Sequence, residues 1–250
     1  MIGVILAGGY AIRLYPLTKN LAKPLLQIGE KPVIDYIIEK LLRVNEINRV
    51  IITTNEKFEH QFKEWLSHRW HHNIELKIEK NCREEDKLGA LRAIEEIVRD
   101  VNDEDYMIIA GDNIFSSDLT GIVKTYQDMK APIVGVYNIK DRETAKNFSI
   151  IKMNMEQRII SFEEKPARPK STMVGTCIYI FPRKSLKRIH EYLNNGNNPD
   201  SPGHFIEWLC KRERIQGYVL QGYWYDIGTS ETYQEAKKHF QVKLPITYTR

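Results

Sequence analysis

Short, wholly apolar runs alternate with segments of helical periodicity through the first 113 residues, and this alternation constrains the fold more than any other feature. Residues 2–7 form an apolar run ending at Gly8-Gly9, as a buried parallel strand does on entering a tight turn. Apolar residues at helical spacing fill 33–44, residues 49–53 read as a second buried strand, and 57–70 as a second amphipathic helix. Residues 74–78 alternate like an edge or half-buried strand, and 88–98 are helical with Glu95 and Glu96 outward. Residues 106–110 form a third buried strand, which stops at Gly111-Asp112-Asn113. This rhythm predicts an α/β class, Rossmann-like fold: a doubly wound, mostly parallel mixed sheet with helices on both faces. Ligands on such sheets gather beyond the carboxyl ends of the strands.

After residue 130 the rhythm changes. Residues 133–137, 149–153, 159–162 and 177–181 read as strands with few helices between them, and Pro166 and Pro169 mark a loop. Helices are expected at 185–193, 205–211 and 231–240, a loop at 194–203, and last strands at 217–220 and 223–226. No proline- or glycine-rich linker divides the chain. One domain, 1–250, is therefore expected, with an N-terminal half to about 130 fused to a C-terminal half over about 131–240. No internal repeats occur, and no hexapeptide-repeat domain is expected.

A formal net charge of +4 suits an anionic small substrate such as a phosphate ester. It is too weak to argue for nucleic acid, which needs a clustered basic face. No apolar run approaches the ~20 residues that span a bilayer, so no membrane partner is expected. The N-terminus lacks the charged region and cleavage site of a leader. Cys82, Cys177 and Cys210 are scattered and form no CxxC pair, so a reducing, cytoplasmic setting is expected. His68, His71 and His72 sit at helical spacing but offer no fourth ligand, and a solvated face is the better reading than zinc. The oligomeric state is open, and a homo-oligomer is compatible with the chain.

The stretch Leu6-Ala7-Gly8-Gly9 leads on to Arg13 and, further along, to Lys23-Pro24. Glycines let phosphates lie against backbone N–H groups, and an arginine can clamp phosphate oxygens bidentately. The string is neither a Walker A loop nor a GxGxxG fingerprint, and by itself two glycines after a strand could be a tight turn. The wider string, LAGGYAIRLYPLT followed by AKPLLQIGEKPVIDYIIEKL, resembles the signature of the sugar nucleotidyltransferase family, including glucose-1-phosphate thymidylyltransferases. The similarity runs from Ile2 to about Phe240.

The resemblance implies a nucleoside triphosphate and a sugar 1-phosphate as substrates, with a nucleotide-sugar and pyrophosphate as products. It makes the N-terminal half the nucleotide side, with Leu6, Ala7, Gly8, Gly9, Arg13, Lys23, Asn81 and Gly89 as binding residues. Asp112, at a strand end in AGDNIF, could simply cap a turn. A carboxylate there also suits Mg²⁺, which prefers hard oxygen ligands. The resemblance pairs it with Asp226 in GYWYDIGT as the metal-binding residues. FEEKP could be a charged turn, but the resemblance makes Glu164 an acceptor for sugar hydroxyls and Lys165 the holder of the sugar phosphate. Asn113, Thr176 and Tyr179 complete the implied substrate side. Arg13, Lys23, Asp112, Lys165 and Asp226 are the implied catalytic set.

The chain departs from the family pattern at several positions. Ala11 and Ile12 stand where Gly-Thr is usual, Phe148-Ser149 replaces Tyr-Gly, and Thr176-Cys177 replaces Thr-Gly. The segment 80–89 is longer than in thymidylyltransferases and shows no aligned base-reading glutamine. Base and sugar are thus left open. Two other readings stand beside this one. One is a cytidylyltransferase acting on a non-sugar phosphate such as phosphocholine, which would need an aromatic cage. The other is a catalytically silent subunit that binds nucleotide-sugars.

Overall fold

The computed structural model describes residues 1–67, 73–80, 89–100 and 104–241. In chain order the first elements are β1 (Ile2–Leu6), β2 (Gln27–Ile28), β3 (Lys31–Pro32), α1 (Val33–Leu41), β4 (Arg49–Asn55) and α2 (Glu59–Ser67). Next come β5 (Ile74–Glu79), α3 (Ala90–Asp100), β6 (Tyr106–Ala110), β7 (Asn113–Phe115) and α4 (Thr120–Met129). The second half has β8 (Ile133–Asn138), α5 (Arg142–Ala145), β9 (Ile150–Met153), β10 (Ile159–Glu163) and β11 (Met173–Phe181). It continues with α6 (Arg183–Leu186), α7 (Arg188–Asn194), α8 (Pro202–Cys210), β12 (Gln216–Val219), β13 (Trp224–Asp226) and α9 (Ser230–Gln241).

Strands β5, β4, β1 and β6 lie side by side and parallel, as the alternation requires. The long β11 then runs antiparallel to β6 along one edge and to β8 along the other. β9 and β10 extend the sheet beyond the first part of β11, and β12 adds parallel to β8. The mixed sheet predicted from the sequence is present, and β11 is the strand that joins its two halves.

Period-two alternation sends neighbouring β1 side chains to opposite faces. Ile5, with Ile52 and Ile109, packs under Ile34, Ile37 and Phe62 of α1 and α2. Val4, with Ile51 and Ile108, packs under Leu91 and Ile94 of α3 and Ile206 of α8. A third, smaller cluster joins Leu14, Ile28, Ile114, Ile227 and Tyr233, tying the loop after β1 to α9.

Among the differences from expectation, two stand out. Helix α4 was not foreseen, because Gly121 and β-branched Thr120 and Thr125 weaken its local propensity. It forms because Ile122, Val123 and Tyr126 are buried, and because Gly121 admits the Tyr218 hydroxyl where a Cβ would lie 2.1 Å from it. The expected strand at 223–226 has an unforeseen partner, β7, which is only three residues long. Their antiparallel register pairs Asp226 with Asn113 and Trp224 with Phe115.

Candidate active site

The loop after β1 is pinned at several points. Ala7 is buried and its N–H donates to the Thr53 carbonyl at 3.0 Å, while Asn55 Nδ2 donates to the Gly8 carbonyl at 2.9 Å. The buried Thr18 hydroxyl donates to the Ala11 carbonyl at 2.7 Å. A short 3-10 turn, Ile12–Leu14, then buries Leu14 and leaves Arg13 exposed. Ala11 itself is left-handed, with φ 52° and ψ 44°. The family pattern has glycine there, and the alanine keeps the glycine-type backbone at a cost of about 1 kcal/mol.

The ribbon of β7 and β13 brings the two implied metal carboxylates together. The Ile227 N–H donates to the Asp112 carbonyl at 2.9 Å, which fixes the end of β13 beside Asp112. The Lys23 ammonium pairs with Asp112 Oδ2. Burial pulls Lys23 down, but the charges of Asp112 and Asp226 outweigh it and raise it, so it stays a cation. Burial, and then the charge of Asp112, push the Asp226 carboxyl up to about 7, against the pull of Lys23, Arg13 and Lys165. All five residues of the implied catalytic set therefore act electrostatically at one point, although they are scattered over more than 200 positions of the chain.

Asn113 has a different place from the one the resemblance implies. It is 1% exposed, its Nδ2 donates to Asp112 Oδ1 at 3.0 Å, and its Oδ1 accepts from the Trp224 indole N–H. It orients Asp112 instead of facing an incoming molecule. Thr176 and Tyr179 also require correction. Thr176 is fully buried and donates to the Gly135 carbonyl at 2.9 Å, and Tyr179 is 1% exposed among core residues. Both side chains are taken up by the junction of β11 with its neighbours, where an incoming sugar cannot reach them.

Glu164 is engaged by the fold itself. Its carboxylate accepts from the Ser149 hydroxyl and, at 2.9 Å, from the Ser201 hydroxyl. Gly203, in the first turn of α8, lies so close that a Cβ there would sit 1.9 Å from Glu164 Oε2. Ser149, one of the departures from the family pattern, thus occupies one oxygen of the implied sugar acceptor. A carboxylate has about four acceptor sites, so capacity for a further hydroxyl remains. Lys165 is 57% exposed, with Nζ 3.8 Å from Glu164 Oε1. Cys177, another departure, has φ 54°, again the backbone of a glycine. Burial above all, then the charges of Asp226, Asp112 and Glu164, push its thiol up to about 12, against the Tyr179 hydroxyl. It is a neutral group near three carboxylates.

Beside the carboxylate pair lies a cavity of about 250 Å³. Its floor is Leu6, Thr53 and Ala110, neighbours in register at the carboxyl ends of β1, β4 and β6. Gly8, Gly9 and Gly89 form walls, with Cys177 on the side of the carboxylates and Glu79 and Asp200 as acidic groups. Thr53, Glu79 and Asp200 were not singled out from the sequence. For Glu79 the available signal was its position as the last residue of a strand. Asn81, expected on the nucleotide side, lies outside the described residues, as do Cys82 and the histidines at 68, 71 and 72.

Gly89 has φ 86°, and a Cβ there would lie 2.5 Å from the Pro199 carbonyl oxygen. Both obstacles are backbone, which cannot swing away. Gly89→Ala is expected to cost about 2–3 kcal/mol, or roughly 5–10 °C in melting temperature. A calorimetric scan checks this, and an unchanged transition would contradict the packing described.

The chain belongs to the nucleotidyl transferase family, whose model matches residues 2–242. Among curated relatives it is 30% identical over 245 residues to the bifunctional protein GlmU of Methanocaldococcus jannaschii, covering 98% of this chain and 55% of that one. It is 31% identical over 257 residues to a glucose-1-phosphate adenylyltransferase of Mycoplasma mobile, covering 94% and 66% respectively. The chain thus spans about half the length of the GlmU relative. Among solved structures it matches a Bacillus anthracis protein described as a glucose-1-phosphate thymidylyltransferase, in complex with a sucrose. That match has a TM-score of 0.84 and 26% identity, and covers 100% of this chain and 98% of the other. A UDP-glucose pyrophosphorylase complexed with UDP-glucose shares the fold, with a TM-score of 0.81 at 22% identity over 97% and 99% of the two chains. Among the described residues no helix is long and apolar enough to cross a membrane.

Proposed function

We propose that the chain condenses a nucleoside triphosphate with a sugar 1-phosphate to give a nucleotide-sugar and pyrophosphate. The observation that carries this reading is the convergence of Arg13, Lys23, Asp112 and Lys165 on Asp226. Three cations and two carboxylates at one point suit a reaction in which several phosphate groups meet. The names of the adenylyltransferase and thymidylyltransferase relatives support the same reaction class.

An oxygen of the sugar phosphate attacks the α-phosphorus, the bond from that phosphorus to the β-phosphate oxygen breaks, and pyrophosphate leaves. The nucleophile is already an anion at neutral pH, so no protein base or covalent intermediate is required. Catalysis is then positioning and charge stabilisation. Lys165, exposed and on the C-terminal side, steers the sugar phosphate. Lys23 contacts the α-phosphate or the sugar phosphate, and exposed Arg13 holds the departing pyrophosphate. Asn113 keeps Asp112 in position from below.

Asp112 and Asp226 are hard oxygen donors; burial and then their mutual repulsion raise Asp226, and a divalent cation such as Mg²⁺ relieves that repulsion. The pair fits such an ion, with phosphate oxygens and water as further ligands. When bound, the ion offsets charge on the transferring phosphate. Its binding requires the ionised form of Asp226. Because the folded carboxyl sits near 7, above the usual ~3.9 of a free aspartate, the metal-free fold loses stability as pH rises toward that value. Mg²⁺ restores it above that pH. Its apparent affinity is expected to fall about tenfold from pH 8 to pH 6. Thermal shifts with and without Mg²⁺ at the two pH values check this, and an equal Mg²⁺ effect at both counts against the pair.

The functional test is a grid of nucleoside triphosphates against sugar 1-phosphates, with phosphocholine included, scored by pyrophosphate release. Release that requires a sugar 1-phosphate is the expected result. Release only with CTP and phosphocholine would favour the cytidylyltransferase alternative, and no release with any pair would favour the silent subunit.

A further inference from the structure

We infer that the groove between α3 and the α6–α7 pair is a second small-molecule site, which takes a sugar phosphate with its phosphate between Arg99 and Lys187. The groove encloses about 450 Å³, more than the cavity beside the carboxylate pair. That volume is in the range of small-molecule sites. None of the implied catalytic set lines it, so this site stands or falls apart from the transfer reaction.

The groove is built from two matched helix faces. Lys187 joins α6 to α7 with helical backbone, φ −56° and ψ −24°, so the two short helices continue one another. Arg92, Glu95 and Arg99 recur at i, i+3 and i+7 on α3, and Lys187, His190 and Asn194 recur at the same spacing opposite. Each set therefore shares one face, and all six line the groove. The faces run antiparallel. Beyond the end of α7, the Pro199 carbonyl accepts from the Leu91 N–H at 3.0 Å, and at the start of α6 the Arg183 N–H donates to Asp105 at 3.0 Å. The middle is a clasp: His190 Nδ1 lies 2.9 Å from Glu95 Oε1, and Asn194 Nδ2 lies 2.9 Å from His190 Nε2. The one carboxylate among the described lining residues is thereby engaged.

This pairing sets Arg99 against Lys187 at the α6 end. Arg99 Nε reaches Asp100 at 3.8 Å, but Asp100 is already held by Lys77 at 2.6 Å. Among the described residues Lys187 has no ion-pair partner. Two cations facing one another repel, and a phosphate between them relieves the repulsion while the guanidinium binds it bidentately. Arg183 lines the same end and is engaged within the fold. Val98 and Leu186, 6% and 2% exposed, give the groove an apolar floor, and Arg92 and Asn194 offer donors at its far end. A bare phosphate would leave that length unfilled. A hydroxylated ring with one apolar face fits it.

The test is calorimetric titration of the whole chain with glucose 6-phosphate, which lacks the anomeric phosphate that the transfer reaction needs. Inorganic phosphate and glucose are titrated alongside. Glucose 6-phosphate is expected to bind more tightly than either, and less tightly as salt is raised. The double variant Arg99→Glu, Lys187→Glu should weaken it by roughly tenfold or more. The same variant should keep its pyrophosphate release, and Lys165→Ala should bind glucose 6-phosphate undiminished. No binding to the unaltered chain at millimolar concentration overturns the inference. So does binding that survives the charge reversal, or that is lost in Lys165→Ala. Inorganic phosphate binding as tightly as glucose 6-phosphate would overturn the sugar phosphate as the ligand. If the double variant fails to fold, exposed Lys187→Glu alone decides in the same way.

Discussion

Asp226→Asn is expected to lower turnover by roughly two to three orders of magnitude while leaving the fold intact. The carboxylate is near the end of the β7–β13 ribbon, paired in register with Asn113, and backbone contacts hold it there whatever its side chain. An asparagine amide has nearly the same size, so packing survives. It lacks the charge that a hard cation needs, and it removes both the burial of a charge and the repulsion that together raise the native carboxyl to about 7. The metal-free variant should therefore melt no lower than the unaltered chain at pH 8, and Mg²⁺ should barely shift it. Steady-state kinetics and melting curves measured together check this. A variant that lost its activity by unfolding would instead show Asp226 to be structural.

Lys23→Met is expected to cost about two orders of magnitude in turnover, with the opposite effect on stability. The Lys23 ammonium sits against Asp112 and also attracts Asp226. Without it the two carboxylates keep only the weaker pull of Arg13 and Lys165, so the metal-free variant should melt below the unaltered chain at pH 8. Added Mg²⁺ should then raise its melting temperature by more than it raises that of the unaltered chain. The combination of a larger metal response and a smaller rate separates a lysine that serves the phosphates from one that merely neutralises Asp112. Unchanged turnover would remove Lys23 from the catalytic set.

The parallel half of the sheet was legible because β1, β4 and β6 are buried on both faces and read as largely apolar runs, while the edge strand β5 alternates. Ile2 to Leu6 and Tyr106 to Ala110 are such runs, and their carboxyl ends are where the chemistry gathers. Asp112 was legible for that reason. Asp226 was suggested by its motif, but nothing local indicates that it meets Asp112. That depends on β7, three residues with too little pattern to mark a strand. Asn113, Thr176 and Tyr179 show the converse problem. Each occupies a position that the family resemblance marks as substrate-facing, yet each is buried and bonded within the fold. A residue's direction from a strand depends on register and on the bulge between Gly175 and Tyr179, which no period-two pattern predicts. Ser149, Ser201 and Glu164 meet from three separate segments, so their contact too was invisible in one dimension. The glycine replacements Ala11 and Cys177 could be seen as departures, but only the backbone showed that both retain a left-handed conformation.

The central claim is that a sugar 1-phosphate oxygen attacks the α-phosphorus at this site. It is tested most directly by supplying sugar 1-phosphate labelled with ¹⁸O in its phosphate, together with Mg²⁺ and the triphosphate the chain prefers. The products are then followed by ³¹P resonance. Attack at the α-phosphorus places all of the label in the nucleotide-sugar, one atom of it in the new diphosphate bridge, and leaves the released pyrophosphate unlabelled. Label in pyrophosphate or inorganic phosphate, or triphosphate consumed with no labelled nucleotide-sugar formed, would contradict the account.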